Sequence, residues 1–206
     1  MDDERTTRRR RANGEESRSR ILDATVEIAG ERGYEGTSIA LVSKRCGLPA
    51  SSIYWHFKDK DDLIAAVIEH SFGHWLAALT LPDDSVGTPL ARVTALARQV
   101  ATALLEAPDF LRLGLMLTLE RRPEEPSART MFLQVRDTAR ERITDMVAEF
   151  MPGLDSAAVE LLTTYALAGA DGLFVAKEIG GDQVDLIRLF ELHAQALFDL
   201  ATRLSS

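Results

Sequence analysis

A single cysteine, Cys46, in 206 residues excludes an internal disulfide framework and fits a reducing compartment. It sits near Leu48 in an apolar turn and reads as a small buried hydrophobe. No uninterrupted apolar run approaches the ~20 residues of a membrane-spanning helix. The arginine-rich N-terminus has no apolar segment behind it, so it does not read as a secretory signal. Neither a period-two strand pattern nor an internal repeat is present. Enzyme signatures are missing too: there is no Glu-x-x-His pair of the di-iron type, no phosphate-cradling glycine loop and no His-Glu-x-x-His. Serines, histidines and acids occur without a spacing that ties them into a nucleophilic site. The expectation is a cytoplasmic protein that is not an enzyme, with no membrane partner and no cofactor.

Positive charge is also short overall, with a net charge of -8. Taken whole, that argues against a nucleic-acid partner, but the charge is uneven. Residues 1–60 hold 12 Lys and Arg against 10 Asp and Glu, whereas residues 61–206 hold 12 against 22. An acidic body with a locally basic end suits a protein that touches phosphate at one end only.

What is present is helical periodicity. Residues 1–16, with Arg8-Arg9-Arg10-Arg11, lack apolar periodicity and read as a disordered basic arm. Such an arm is either a solvated tail or a trailing phosphate contact. Ile21, Ala24, Thr25, Ile28 and Ala29 form one face of a helix from Ser17 to Arg32, closed by Gly33. Thr37 or Ser38 caps a helix to Arg45, with Ile39 and Val42 inward, and Gly47 makes the turn. A helix of barely two turns, Pro49–Trp55, follows. Alone it could not persist, because helix nucleation is costly; it is held by neighbours for what it displays. Helix, short glycine turn, helix is the helix-turn-helix arrangement.

Asp59 opens a fourth helix, with Asp62 completing a near capping box, that runs to about Thr80. Pro82–Gly87 reads as a loop. Further helices are expected from Thr88-Pro89 to Glu106, Pro108-Asp109 to Arg121 or Arg122, Glu125-Pro126-Ser127 to Phe150, Asp155 or Ser156 to Ile179, and Gln183 to Leu204. The fold class is therefore all-α: an N-terminal three-helix unit with a helix-turn-helix at 17–62, linked through the helix that starts near residue 59. A C-terminal helical bundle follows at 63–206.

The segments Ile21-Leu22-Asp23-Ala24, Gly33-Tyr34-Glu35-Gly36-Thr37-Ser38 and Gly47-Leu48 through Ile53-Tyr54-Trp55-His56-Phe57-Lys58-Asp59-Lys60-Asp61-Asp62-Leu63 resemble the TetR family of transcription regulators. The resemblance covers residues 17–68. It implies that 17–62 is a three-helix DNA-binding domain and 63–206 an all-helical ligand-binding and dimerisation domain, with operator binding by a homodimer and, usually, repression relieved by a small molecule whose identity the resemblance does not carry. Where the family more often has Ser or Thr, this chain has Pro49, which removes a donor. An activator or effector-independent regulator is the alternative, and a metal-responsive repressor a lesser one.

The candidate DNA contacts are as follows. Pro49, Ala50, Ser51 and Ser52 lie at the start of the short helix, with Ala50 and Ser51 assigned to bases and Ser52 to base or phosphate. Tyr54, His56, Thr37 and Lys60 are assigned to phosphates, Lys44 and Arg45 to the electrostatic footprint, and Ser38 to the capped helix start. Trp55 suits packing as well as DNA contact. Ile53 and Phe57 are core.

An apolar effector cavity is expected among Phe72, Trp75, Leu104, Leu113, Met116, Leu117, Phe132, Tyr165 and Phe174, with Asp171 or Arg112 as the candidate charges. The last helix is apolar nearly all round and the one before it is rich in small residues. That pattern points to a dimer interface through Leu162, Ala166, Gly169, Leu173, Phe190, Leu197 and Ala201. His70 and His74, at i and i+4, with His193 as a third ring, fall short of the four ligands of a structural zinc site, and no metal site is assigned.

Overall fold

The computed structural model describes residues 2–80, 87–120 and 126–205, with side chains from Asn13 onward. Among the described residues it is all-helical: α1 (Asp2–Gly36), α2 (Ile39–Cys46), α3 (Ala50–His56), α4 (Lys60–Ala77), α5 (Pro89–Glu106), α6 (Asp109–Leu119), α7 (Ser127–Phe150), α8 (Ser156–Gly180), a 3₁₀ turn at Gly181–Gln183, and α9 (Leu186–Leu204). The loop expected at Pro82–Gly87 falls, up to residue 86, outside the described residues. So do the helix end at Arg121 or Arg122 and the start at Glu125.

Residues 2–16 are not a disordered tail; they extend α1 backwards to Asp2. From Asp2 to Ala12 the sequence has neither proline nor glycine and is rich in arginine, a good helix former. Once the helix is nucleated by the buried face that begins at Ile21, each added residue costs little. At its other end α1 breaks at Gly33, whose φ of 68° and ψ of -174° are non-helical. A side chain there would also meet the Met116 Cε at 3.0 Å. The last helix starts later than expected, at Leu186, because Asp185 accepts from the Arg188 amide and sets the cap.

The chain divides into two compact units. The first comprises residues 1–73 and 108–134; the second comprises 74–107 and 135–206. This differs from the boundary expected at 62/63, since α6 and the first eight residues of α7 pack with the N-terminal helices. The first unit is centred on Ile21, Leu22, Ile53, Leu63, Ile64, Ile68, Leu113 and Leu117, all fully enclosed. Helix α6 lies on α1, and Phe132 of α7 lies over Gly114 of α6, where even a Cβ would sit 1.9 Å from the ring. Phe72 and Phe110 meet edge to face at 5.4 Å.

In the second unit α9 packs along α5 and against α8. Its core includes Leu96, Leu104, Leu162, Phe174, Leu186 and Phe190. Glu191 is buried and receives both Arg98 and Arg188. Helix α8 is long and apolar enough to cross a membrane by length and composition, although its sequence has no uninterrupted apolar run of that length. The core helix of a helical protein passes the same test.

Candidate DNA interface and effector cavity

The display of α3 rests on local chemistry. Ser38 caps α2, its Oγ accepting from the Leu41 amide at 3.3 Å. Gly47 closes α2 in the left-handed conformation (φ 68°, ψ 21°), which glycine adopts without a Cβ penalty. Arg20 of α1 donates to the Cys46 carbonyl at 2.7 Å, placing a cation at the negative end of α2. The Ser43 hydroxyl donates to the Leu48 carbonyl at 2.7 Å and ties the turn. Pro49 occupies the cap position of α3, with φ -64° and ψ 150°, and supplies no side-chain cap.

Ile53, 0% exposed, and the cap residue Phe57 anchor α3 from below. With those two inward, Ser51, Tyr54 and Trp55 share the outer face at i, i+3 and i+4, and Ala50 and Ser52 flank it half-buried. Tyr54 is 56% and Trp55 76% exposed, so Trp55 is not core. Its ring lies 3.8 Å from where a Cβ on Gly14 would be, so the N-terminal extension of α1 passes beside it. His56 stands edge-on to Trp55 at 4.5 Å. Partial burial, and then the charge of Arg18, lower its pKa from 6.5. The Arg18 guanidinium also lies over the Phe57 ring at 5.5 Å. Lys44 and Lys58 are exposed. After the break, Asp59 accepts from the Asp62 amide and Asp62 accepts from the Lys58 amide, a reciprocal cap that starts α4.

Three proposed contacts are engaged within the protein. Thr37 is 2% exposed and its hydroxyl donates to the Gly33 carbonyl at 2.8 Å, because the break in α1 leaves that carbonyl without a helical partner. Arg45 pairs with Glu27 at 2.6 Å and Glu31 at 3.3 Å, and these carboxylates raise its pKa. Its charge is balanced locally. The Lys60 ammonium turns back to α1: it donates to the Tyr34 carbonyl at 3.2 Å, lies 4.3 Å over the Tyr34 ring and sits 3.6 Å from Glu35. Arg18, over the α3 cap residue Phe57, and Arg20, at the end of α2, are not among the residues the sequence singles out. Only their position four turns or so before the glycine break hints at their neighbours in space.

The candidate effector residues do not converge. Phe72, Leu113, Leu117 and Phe132 are packed core of the first unit. Met116 is exposed on α6 beside Gly33, and Arg112 faces Asp109 one turn earlier at 3.5 Å. In the second unit Leu104 and Phe174 are core, Trp75 is half-buried and Tyr165 is exposed. Asp171 is held by a two-pronged bond from Arg136, at 2.9 and 2.7 Å; burial raises its pKa and Arg136 partly offsets this. None of them lines the cavity the second unit contains. That cavity, about 130 Å³, lies among α5, α7, α8 and α9 and is walled by Val93, Leu96, Ile143, Met146, Val147, Phe150, Met151, Leu162, Ala166, Leu197, Phe198 and Ala201. Every lining side chain is apolar. Apolar spacing tells which face of a helix is inward; it does not tell where facing helices leave a gap. The one local sign was the run Met146-Val147…Phe150-Met151, since methionine fills irregular spaces.

Most of the dimer candidates lie inside the chain. Leu162, Phe190 and Ala201 are buried inside the chain, Ala166 and Leu197 line the cavity with Leu162 and Ala201, and Leu173 is half-buried. Gly169 is filled by the His193 ring, 2.2 Å from where a Cβ would lie, and a His193 ring nitrogen meets the Ala166 carbonyl at 3.2 Å. The exposed apolar residues of α8 are others: Leu161, Tyr165, Ala168, Gly172, Val175 and Ile179, at alternating steps of four and three. Leu192, Ala196, Leu200 and Leu204 continue an exposed apolar row on α9. Among the described residues no three metal-ligating side chains cluster.

Residues 21–67 match the family model described as bacterial regulatory proteins, tetR family. Over 64 residues the chain is 36% identical to the HTH-type transcriptional regulator AcrR of Shigella flexneri, spanning 31% of this chain but only 30% of that relative. Over 169 residues it is 26% identical to the HTH-type transcriptional regulator BetI of Paraburkholderia phymatum, covering 82% of this chain and 84% of BetI. The crystal structure of the regulator FadR from Bacillus subtilis, in complex with stearoyl-CoA, superposes with a TM-score of 0.71 at 18% identity, over 87% of this chain and 96% of FadR. At that identity the likeness is one of fold.

Proposed function

Because the chain belongs to the tetR family of bacterial regulatory proteins, we propose that it is a sequence-specific DNA-binding transcriptional regulator. In this reading it is a cytoplasmic homodimeric repressor that a small hydrophobic or aromatic effector releases from its operator. The carrying observation is α3: a seven-residue helix, anchored by Ile53 and Phe57, whose outer face offers Ser51, Tyr54 and Trp55. A helix so short and so exposed is sized to lie in a major groove, where base edges present a distinguishable pattern. Ser51 and Ala50 address bases; Tyr54 and His56 address phosphates, with Lys44, Lys58 and Arg18 around them.

The exposed row on α8 supports a dimer. Its four-three alternation is the spacing of a helix that packs along another helix, and Ala168 and Gly172 let the backbones approach. A second copy of this chain would cover both that row and the one on α9, and would account for the apolar length of α8 without a membrane. The cavity supports an effector that carries no charge. A hole of about 130 Å³ accepts a group about the size of benzene. FadR was solved with stearoyl-CoA; a cavity of this size suits something much smaller.

The test is binding to the duplex upstream of the gene, titrated at several salt concentrations against a scrambled duplex. Binding should be tight, selective and weakened by salt. Tyr54→Ala should lose affinity about tenfold on all sequences, about 1.4 kcal/mol, while Ser51→Ala should relax selectivity. Equal, weak binding to both duplexes would overturn the reading.

A further inference from the structure

We infer that Asp61 is a positioning residue through which occupancy of the apolar cavity reaches α3, with α7 as the transmitting element. The inference rests on the effector reading of that cavity. Helix α7 is continuous over 24 residues and the two units share it, with residues 127–134 in the first and 135–150 in the second. Its start is held by one carboxylate. Asp61 accepts from the Ser127 amide at 2.5 Å, from the Ser127 hydroxyl and from the Ala128 amide at 3.3 Å. The same carboxylate accepts from the Tyr34 hydroxyl of α1 at 3.1 Å, and the residue before it, Lys60, holds the Tyr34 carbonyl. One side chain at the start of α4 therefore ties α1 to α7 just beside the break that follows α3.

At the other end of the same helix, Ile143, Met146, Val147 and Phe150 wall the cavity. By contrast, no residue of α4, the helix expected to link the two domains, lines it. A ligand that enters the cavity presses on this stretch of α7, whose wall residues are half-buried. A helix moves as a body, so a shift of its cavity half is felt at Ser127. There it meets a carboxylate that also fixes the end of α1, the helix against which α2 and α3 pack. Asp61→Asn keeps the oxygen that accepts from Tyr34 and, weakly, from the Ala128 amide, and replaces the other with a group that cannot accept from Ser127.

The experiment needs no known effector. Met146→Trp fills the cavity from α7, with Met146→Phe as the milder form should the larger ring prevent folding. Dissociation constants for the upstream duplex are measured for Met146→Trp, Asp61→Asn and the double variant, with melting curves to establish folding. We expect Met146→Trp to weaken DNA binding at least tenfold in the parent and less than twofold in the Asp61→Asn background. Asp62→Asn, whose carboxylate caps α4 only, should retain the tenfold response. Distant, uncoupled sites act additively, so the same factor in both backgrounds would overturn the role of Asp61 and leave the effector reading standing. No loss in the parent would overturn both.

Discussion

The two units differ in how complete each is within a single chain. The first has a fully enclosed centre, a close helix crossing at Gly114 filled by Phe132, exposed aromatic side chains on α3, and no more than Met116, Leu119 and Leu133 as large exposed aliphatic side chains among its described residues. The second carries an apolar cavity and, on α8 and α9, exposed apolar rows. A closed core presents a fixed surface. An open one changes energy when something fills it, because apolar area leaves water and lost packing is restored. Recognition of a regular duplex suits the first condition, and response to a partner or an effector suits the second.

The sharpest way to break this comparison is the α8 row. Ile179 is 83% exposed, and Tyr165 is half exposed with a single ring neighbour among the described residues, His193, at 6.0 Å. Ile179→Glu with Tyr165→Asp should leave the far-ultraviolet spectrum and the monomer fold intact. It should raise the dimer dissociation constant by roughly a hundredfold or more, since like charges would face each other across a two-fold seam. Sedimentation should then show monomers, and DNA binding should fall with them, as each monomer reads a single half-site. Unchanged sedimentation would mean that the second unit is not completed by a copy of itself through this face.

Much of this is legible in the sequence, and the part that is not has a common cause. Helix starts followed from side chains that act on their own neighbours: Ser38, Asp59 with Asp62, Thr88 and Asp155 each cap the helix they precede. Ile53 and Phe57, expected as core, are buried. What spacing does not carry is the identity of the facing element. Gly169 reads as a small residue for close approach, which it is, but the visitor is His193 of the same chain. Lys60 reads as a cation at a helix start, which it is, but Tyr34 and Glu35 reach it first. Phe132 reads as inward, which it is, but it faces Gly114 rather than a void.

A second prediction measures the difference in packing. Leu113 is enclosed in the first unit, whereas Leu197 borders the cavity of the second. Leu→Ala substitutions cost about 2–5 kcal/mol, the larger values where the hole left behind cannot collapse. Leu113→Ala should fall near the top of that range. Leu197→Ala should fall near or below the bottom, because that side chain is in contact on fewer sides. Chemical denaturation of each unit's transition reads both. Equal losses would mean that the cavity closes in solution and that the second unit is packed as tightly as the first.

The smallest effect tests whether even the closed unit keeps one adjustable group on its working face. His56 is half-buried beside Trp55, and burial followed by Arg18 holds its folded pKa below 6.5. The unfolded chain therefore takes up a proton first as pH falls. Stability is full above the unfolded value and declines as pH drops through 6.5 toward the folded pKa. A phosphate placed against the ring would act in the opposite sense, favouring the imidazolium, so DNA affinity should rise over the same interval in which stability declines. Folding and binding would then show opposite pH slopes from one side chain. His56→Gln should flatten both, with little change at pH 8, as measured by melting curves and by duplex titration at constant salt. If His56→Gln flattened the stability slope but left the binding slope in place, His56 would be a packing residue of α3, and Tyr54 would be left as the phosphate contact on that face.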